Sequence, residues 1–493
     1  MTGQMPPEPF VWKPADTRET PRHAVDVVRD FGASASTAFT TGDFAADGYT
    51  LTLAEPLDFV NGQGIVIEGA GEQGGPLVTT ILGGGGTRHL TLATKASASP
   101  SASLVRHDDS WAWQAAIDAA ALPSVITCPP GVCMNIAAPL RLRTGVLISF
   151  PMALLNWIGP DGGSVFTAYS CPLADSGILG GWVNPGKAAC VVDLHGPQYC
   201  VFDLEVQDGT ENLTVMRWDT ADPADPANPA QASQNMVRRL AAGTCGTLLA
   251  LSGQPTAPVS ANTFESLLGR ECHQAGVCVA ESGYVDTNRF VRTDLTLKAG
   301  GATGDLFGIR LGTDKQSPGI QNLVFDSLSV RDPDGKATSG LCLNGAVQVQ
   351  VLAYDHPGLD AGTAVTAGQP ATYYIRSADQ HTMADTTQGW PVTPLQVGLE
   401  GTPIACHFRI AFEPPIPLPP AVLPVTIVTV TVENVAKGDT VIATPKTPPE
   451  MPLVWSAYVT APDTVLLYLA SNATPGSQVN IPKDWWFDIW RHA

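Results

Sequence analysis

Basic residues are scarce in this 493-residue sequence. It has 27 lysines and arginines against 46 aspartates and glutamates, which gives a formal net charge of −19, and only 15% of its residues are charged. Proteins that bind duplex nucleic acid or anionic membrane surfaces present a basic surface to the phosphate groups. The composition therefore argues against both, and we expect no nucleic acid partner.

Long apolar runs are missing as well. The most apolar late stretch, residues 421–432, contains Pro424 and is too short to cross a bilayer. The first 24 residues lack the basic and then apolar order of a secretory signal. We therefore expect no membrane insertion, and we expect the protein to be synthesised in a bacterial cytoplasm.

Helix-favouring sequence is rare. The chain has 48 glycines and 42 prolines, and both residues are unfavourable inside helices. Only residues 108–121 show helical spacing of apolar side chains, with Asp108 and Asp109 placed to supply N-cap oxygens. One helix is predicted in an otherwise all-β chain.

The ten cysteines are scattered and complete no zinc motif, which favours free thiols. Two acidic clusters, at residues 219–225 and 332–335, each lack a complete ion-binding loop. We therefore expect no cofactor, and a divalent cation is left as an open alternative without a motif of its own.

Repeated strand-like segments are the clearest internal pattern. One pattern has copies at 264–271, 293–298 and 325–332, led by Asn262, Asn288 and Asn322. A second pattern has copies at 276–279, 308–311 and 340–343. Units of roughly 30 residues with alternating apolar positions are typical of strand coils that bury their faces on neighbouring coils. The spacing predicts a β-solenoid over residues 125–415.

Three further segments flank the predicted solenoid. Residues 1–24 are rich in proline and polar residues, which is typical of a linker or docking peptide. Residues 36–105 contain short strands separated by glycine-rich turns, and residues 416–493 alternate with period two. We expect an inserted β-subdomain within the entry region 25–124 and a C-terminal antiparallel β-sandwich.

Three motifs mark the entry to the solenoid: Val-Arg-Asp-Phe-Gly-Ala at 28–33, Asp-Asp-Ser-Trp-Ala-Trp at 108–113, and Pro-Pro-Gly at 129–131. They resemble the entry motifs of the right-handed parallel β-helix proteins of the pectate-lyase superfamily, particularly phage tailspike and receptor-binding proteins. The resemblance implies an entering strand, a helix that caps the first coil, and a turn into that coil.

The resemblance also implies a function. It suggests a virion-associated tailspike or tail fibre, expected to be a homotrimer, which binds a bacterial surface polysaccharide. Residues 1–24 would then attach it to a phage tail or baseplate protein. Two alternatives stay open, because the fold also hosts enzymes and inert fibres: a free-standing polysaccharide hydrolase or lyase, and a structural fibre or decoration protein.

Hydrolysis of a polysaccharide requires two carboxyl groups that flank the bond to be cut, and stacked coils can supply them about 4.8 Å apart. Glu271 and Asp332 occupy equivalent repeat positions, Asp294 lies in the intervening coil, and His273 is close to Glu271. These four are the catalytic candidates. The competing interpretation is that the carboxylates cap turns or form a surface charge ladder.

Aromatic rings stack on the C–H faces of sugars, so aromatic residues in the solenoid are candidates for substrate binding. The candidates are Trp182, Trp218, Tyr284, Phe290, Tyr354 and Trp390. The alternative for each of them is a place in the apolar core.

Overall fold

The computed structural model describes residues 23–168, 172–221, 225, 227–279, 283–300, 305–312, 319–344, 346, 349–359, 361–366, 373–377, 395–396, 403–411, 425–431, 439–445, 453–462, 464–471 and 484–490. It is dominated by parallel strands that pair coil on coil. The predicted all-β fold with a parallel β-helix is confirmed. Of the docking segment predicted at residues 1–24, residues 1–22 lie outside the described residues. His23 begins the first strand.

Three ladders of parallel strands run along the solenoid. The first consists of His23–Asp26, Ser124–Thr127, Val146–Ser149, Gly177–Asn184, Val201–Val206, Met236–Ser252, Thr263–Val279, Arg289–Leu297, Val324–Arg331, Val349–Asp355 and Tyr373–Ser377. The second contains Leu140–Leu142, Ser164–Ala168, Cys190–His195, Thr214–Asp219, the ends of the two 17-residue strands, Phe307–Leu311, Ser339–Leu343 and Val365–Thr366. The third contains Leu173–Ala174, Pro197–Gln198, Ala232–Ser233, Val259–Ser260, Val285–Asp286 and Ile320–Gln321. Two more strands, Cys133–Ile136 and Leu154–Trp157, pair beside Gly177–Asn184.

Aromatic side chains at matching positions stack inside the solenoid. The rings of Phe264 and Phe290 lie 4.7 Å apart and nearly parallel, and those of Phe290 and Phe325 lie 4.4 Å apart. In the strand register Phe264 pairs with Phe290. The middle copy of the repeat therefore begins at Phe290, and not at Thr293 as the sequence pattern predicted. The solenoid core therefore contains a column of stacked rings along the coil axis, within a largely aliphatic interior.

A buried asparagine ladder supports one corner of the coils. Asn235 donates its backbone and side-chain N–H groups to Asn262 Oδ1, both at 2.9 Å, and Asn262 does the same to Asn288 Oδ1. Asn322 is not part of this ladder. It lies one position earlier, in the left-handed conformation (φ 54°), and its side chain bonds Asp286.

The first coil is covered by two helices, Val27–Phe31 and Ser110–Ala119. The short first helix was not predicted; Asp26 caps it by accepting from the Val28 and Arg29 N–H groups. Asp109 does not cap its own helix by a side-chain bond, contrary to the prediction. It accepts hydrogen bonds from the backbone N–H groups of Ser34 and Ala35, which ties the entering segment to the capping helix.

The segment between the two helices forms a closed antiparallel barrel with its own apolar core. Its strands, in order around the barrel, are Phe39–Phe44, Thr50–Leu53, His89–Leu92, Leu77–Gly83, Gly64–Ile67 and Ser103–Asp108, and a short 3-10 helix spans Glu72–Gly74. This barrel occupies the place of the subdomain expected at 36–105.

The C-terminal region forms two antiparallel sheets. One orders Leu395–Gln396, Pro403–Ala411, Asp484–Trp490 and Thr440–Pro445, and the other orders Val425–Thr431, Thr464–Ser471 and Leu453–Ala461. Pro403–Ala411 pairs with Asp484–Trp490, so this strand belongs to the C-terminal sheets although it was expected in the solenoid. A short helix, Ala361–Ala364, packs on the last described coils.

Candidate functional site

The outward side of the first ladder carries one column of side chains in direct register. Trp182 pairs with Glu205, and the column continues through Ala241 and Leu268 to Asp294. Residues two apart on a strand share a face, and matching positions on neighbouring strands lie about 4.8 Å apart. The column therefore lines up an aromatic ring, two carboxylates and two apolar positions along the solenoid.

Trp182 is exposed because its strand bends immediately before it. Gly180 and Gly181 both have positive φ (70° and 98°), and the register with the next strand shifts between Leu179 and Trp182. A side chain at Gly181 would collide with Phe150. The glycine pair thus forms a bulge, and Trp182 remains 39% exposed.

Cleft 1 opens beside this column, with a volume of about 460 Å³. Its lining residues are Asn184, Glu205, Val206, Gln207, Asp208, Ala241, Ala242, Gly243 and Arg270. Glu205 forms an ion pair with Arg239 at 2.6 Å, whereas no carboxylate of the described residues pairs with Arg270. The cleft therefore offers amides, carboxylates and an arginine next to an exposed indole ring.

Cleft 2 lies on the other side of the turn at residues 207–213 and has a volume of about 310 Å³. Its lining residues are Glu211, Asn212, Thr247, His273, Gln274, Ala275, Cys278, Gly300, Asp305, Phe307 and Arg310. Glu211 Oε1 lies 4.0 Å from Nδ1 of His273, whose side chain is 5% exposed and whose Nδ1 has no hydrogen-bond partner among the described residues. Gln274 donates to the Glu211 backbone oxygen and to Asn212, which holds the turn against the coil.

The four predicted catalytic residues are not brought together. His273 lines cleft 2, but Glu271 lies outside it and bonds Lys298 at 2.7 Å and Thr244 at 3.0 Å. The hydrogen bond from Lys298 lowers the pKa of Glu271, which makes it a poor proton donor at neutral pH. Asp294 lies on the outer column and pairs with Arg292 at 3.6 Å.

Asp332 is only 3% exposed, and its Oδ2 accepts the Ala337 N–H at 2.7 Å. A buried carboxylate that closes a turn does not face a polysaccharide, so its placement contradicts the expectation of a catalytic group and matches the turn-capping alternative.

The predicted sugar-binding residues divide into rings buried in the core and rings that are more exposed. Trp218, Phe290 and Tyr354 are buried in the core, at 0%, 1% and 2% exposure, so their assignment to substrate binding is wrong. Their positions face the coil axis, where apolar rings gain the most from burial. Trp182 is exposed beside cleft 1, and Tyr284 is half-buried against Gly319 and lines neither cleft. Trp390 lies outside the described residues.

Sequence reasoning missed several residues that line the clefts: Glu205, Asp208, Glu211, Arg270 as a cleft residue, Asp305 and Arg310. The signal that could have found Glu205 is the strand register with Trp182, which requires the glycine bulge to be recognised first. Within the part of the chain that the structure describes, no group of three potential metal ligands occurs, and no helix is long and apolar enough to span a membrane.

The strand pairing and the two clefts define the chain as a parallel β-helix protein with polar surface clefts. No protein-family model and no curated protein matches its sequence. Among solved structures, it is similar to the tailspike gp49 of Pseudomonas phage LKA1, with 11% identity and a TM-score of 0.24 over 92% of this chain and 80% of that one.

Two other phage tailspikes are similar to the same degree. The tailspike gp61 of Pseudomonas phage phi297 is 10% identical, with a TM-score of 0.27 over 95% of this chain and 85% of that one. The tailspike Gp54 of Acinetobacter baumannii bacteriophage AP22, solved in complex with A. baumannii capsular saccharide, is 10% identical, with a TM-score of 0.26 over 93% and 84%. At these values the likeness supports no argument about function or fold. The fold is established by the strand pairing.

Proposed function

We propose that this chain is a phage tailspike or tail fibre that binds a bacterial surface polysaccharide on the outer face of its β-helix, at Trp182 and cleft 1. The observation that carries the proposal is the exposed Trp182 ring in direct register with Glu205, at the edge of a cleft lined by amides and carboxylates. A sugar presents apolar C–H faces and many hydroxyl groups, and this surface offers a partner for both.

The chemistry of cleft 1 fits recognition by short-range contacts. Asn184 and Gln207 each supply an amide donor and acceptor, and Asp208 accepts from hydroxyl groups. The chain carries a net charge of −19, so long-range attraction would not concentrate an anionic polysaccharide around it. Stacking and hydrogen bonds at the cleft would therefore supply the affinity.

The tailspike assignment rests on the entry motifs. In the structure the residues that follow the Asp-Phe-Gly-Ala motif bond Asp109 at the start of the capping helix, which covers the first coil. An uncovered first coil would expose apolar side chains and unpaired backbone groups. Attachment to a phage tail or baseplate through residues 1–24, a homotrimeric state and a place in the virion tail are part of the same proposal.

The test compares binding of the purified protein to a panel of capsule and lipopolysaccharide preparations. We expect one preparation to bind, and Trp182→Ala to weaken that binding about fivefold or more, because stacking on an exposed aromatic ring contributes on the order of 1–3 kcal/mol. Phe39→Ala is the matched control, because Phe39 is 65% exposed on the inserted barrel. Equal binding by wild type and Trp182→Ala would reject this site, and no binding to any preparation would favour a structural fibre.

A second candidate function, cleavage of the bound polysaccharide, is favoured by cleft 2. Glu211 and Asp305 line the same cleft as His273, and glycoside hydrolysis uses two carboxyl groups that flank one bond. New reducing ends, or absorbance of unsaturated uronate, would show turnover with the preparation that binds. Glu211→Gln and Asp305→Asn should then abolish it, whereas Glu271→Gln, outside the cleft, should not; a preparation that binds without turnover rejects this candidate.

A further inference from the structure

Four arginines on the outer surface of the coils form ion pairs with carboxylates of the same or a neighbouring coil. The pairs are Arg217–Asp193, Arg239–Glu205, Arg289–Asp326 and Arg292–Asp294. Arg310, like Arg270 in cleft 1, has no carboxylate of the described residues within ion-pair distance. It is nevertheless half-buried, and its Nε is buried without a hydrogen-bond partner.

The position of Arg310 is held by packing. Its strand, Phe307–Leu311, pairs with the ends of Thr263–Val279 and Ser339–Leu343, so that Arg310 stands between Cys278 and Cys342 on the outer face. The guanidinium carbon lies 4.8 Å from the centre of the Phe307 ring. A ring under the guanidinium plane fixes its orientation and leaves its edge for a planar, bidentate partner.

We propose that cleft 2 binds the carboxylate group of an acidic sugar residue, with Arg310 as its anchor. This rests on the proposed function and names the class of polysaccharide: one that contains a uronic acid or a comparable carboxylated sugar. The cleft volume of about 310 Å³ is at the lower end of the range for small-molecule sites, which suits a single sugar residue.

The other groups of the cleft select a sugar over a simple anion. Glu211 and Asp305 line the cleft as well and would repel a bare anion, but each can accept hydrogen bonds from hydroxyl groups. The Nδ1 of His273, buried without a hydrogen-bond partner, is a further polar group at the same wall. A ligand that carries one carboxylate for Arg310 and several hydroxyls for the acidic residues satisfies all of them.

Saturation-transfer difference NMR with sodium D-glucuronate, D-glucose and acetate as separate probes of the full-length protein tests the proposal. We expect saturation transfer to glucuronate, and none at equal concentration to glucose or acetate. Arg310→Gln should weaken glucuronate binding roughly tenfold or more, since charge-assisted bidentate bonds are about twice as strong as neutral ones. Arg310→Lys keeps the charge but loses the planar fork, so its affinity for glucuronate should lie between those of the wild type and Arg310→Gln.

The matched control is Arg292→Gln, which removes an exposed arginine outside the cleft and should leave glucuronate binding unchanged. Thermal unfolding shows whether Arg310→Gln is folded, and Arg310→Lys provides the readout if it is not. Equal transfer to glucose, equal binding of acetate, or unchanged binding by both Arg310 variants would overturn the proposal. The function proposed above would survive that result if Trp182→Ala still weakened binding of the polysaccharide, so the two failures are distinguishable.

Discussion

Replacing Asn262 with alanine should destabilise the solenoid strongly although no apolar contact of note is lost. Asn262 is 1% exposed, and its side chain takes part in four hydrogen bonds: it accepts two from Asn235 and donates one each to Ala232 and Asn288, at 2.9–3.1 Å. At about 1 kcal/mol for each lost bond, with an extra penalty of about 1 kcal/mol for the buried Asn235 N–H left unpaired, the free energy of unfolding should fall by about 3–5 kcal/mol.

Guanidinium chloride titration followed by tryptophan fluorescence measures the change. The matched control is Asn322→Ala, which removes an asparagine from the neighbouring turn position. Asn322 makes one side-chain bond, to Asp286 at 2.8 Å, and the equivalent left-handed position in an earlier coil is already an alanine, Ala261 (φ 55°). We expect a loss of about 1 kcal/mol or less there. Similar losses for the two variants would refute the assignment of the asparagine ladder as a buried support.

Three further predictions concern other parts of the fold. Burial raises the pKa of Asp109 to about 7, above the ordinary value of about 3.9 in an unfolded chain. The free energy of unfolding should therefore fall as the pH rises from about 4 to 7, and it should fall less in Asp109→Asn. Equal pH dependence of the wild type and Asp109→Asn would contradict this. Gly181→Ala should lower the melting temperature by several degrees, because the residue has φ 98° and its added methyl group would meet Phe150; an unchanged melting temperature would argue against the bulge. A hydrogen bond with Cys245 and burial raise the pKa of the Cys272 thiol, so peptide-resolved alkylation should label both cysteines only after denaturation, and rapid labelling of the native protein would contradict their burial.

The repeats were readable from the sequence because each coil must present apolar side chains to its neighbours. The spacing of the pattern at 276–279, 308–311 and 340–343 is the strand register itself, with Val277 opposite Ile309 and Ile309 opposite Leu341. The first-ladder pattern was read less well. Asn322 matches Asn262 and Asn288 in type but lies one position earlier in its coil, at the left-handed position that Ala261 and Thr287 occupy in the preceding coils.

The candidate site was harder to predict because its geometry depends on register between coils and on local bulges. Composition could not separate a core ring such as Phe290 from a surface ring such as Trp182, since both lie in strands that contain buried and exposed positions. The difference arises from the Gly180-Gly181 bulge, which the sequence analysis did not weigh. Glu211 of the turn 207–213 joins His273 and Arg310 only through the fold, from coils far apart in the chain.

The most direct test is a structure of the protein bound to an oligosaccharide from the bacterial surface polysaccharide that it recognises. The proposed function predicts a sugar ring stacked on Trp182, with its hydroxyl groups bonded to the amides and carboxylates of cleft 1. A ligand found only on the inserted barrel or on the C-terminal sheets, with Trp182 uncovered, would contradict it.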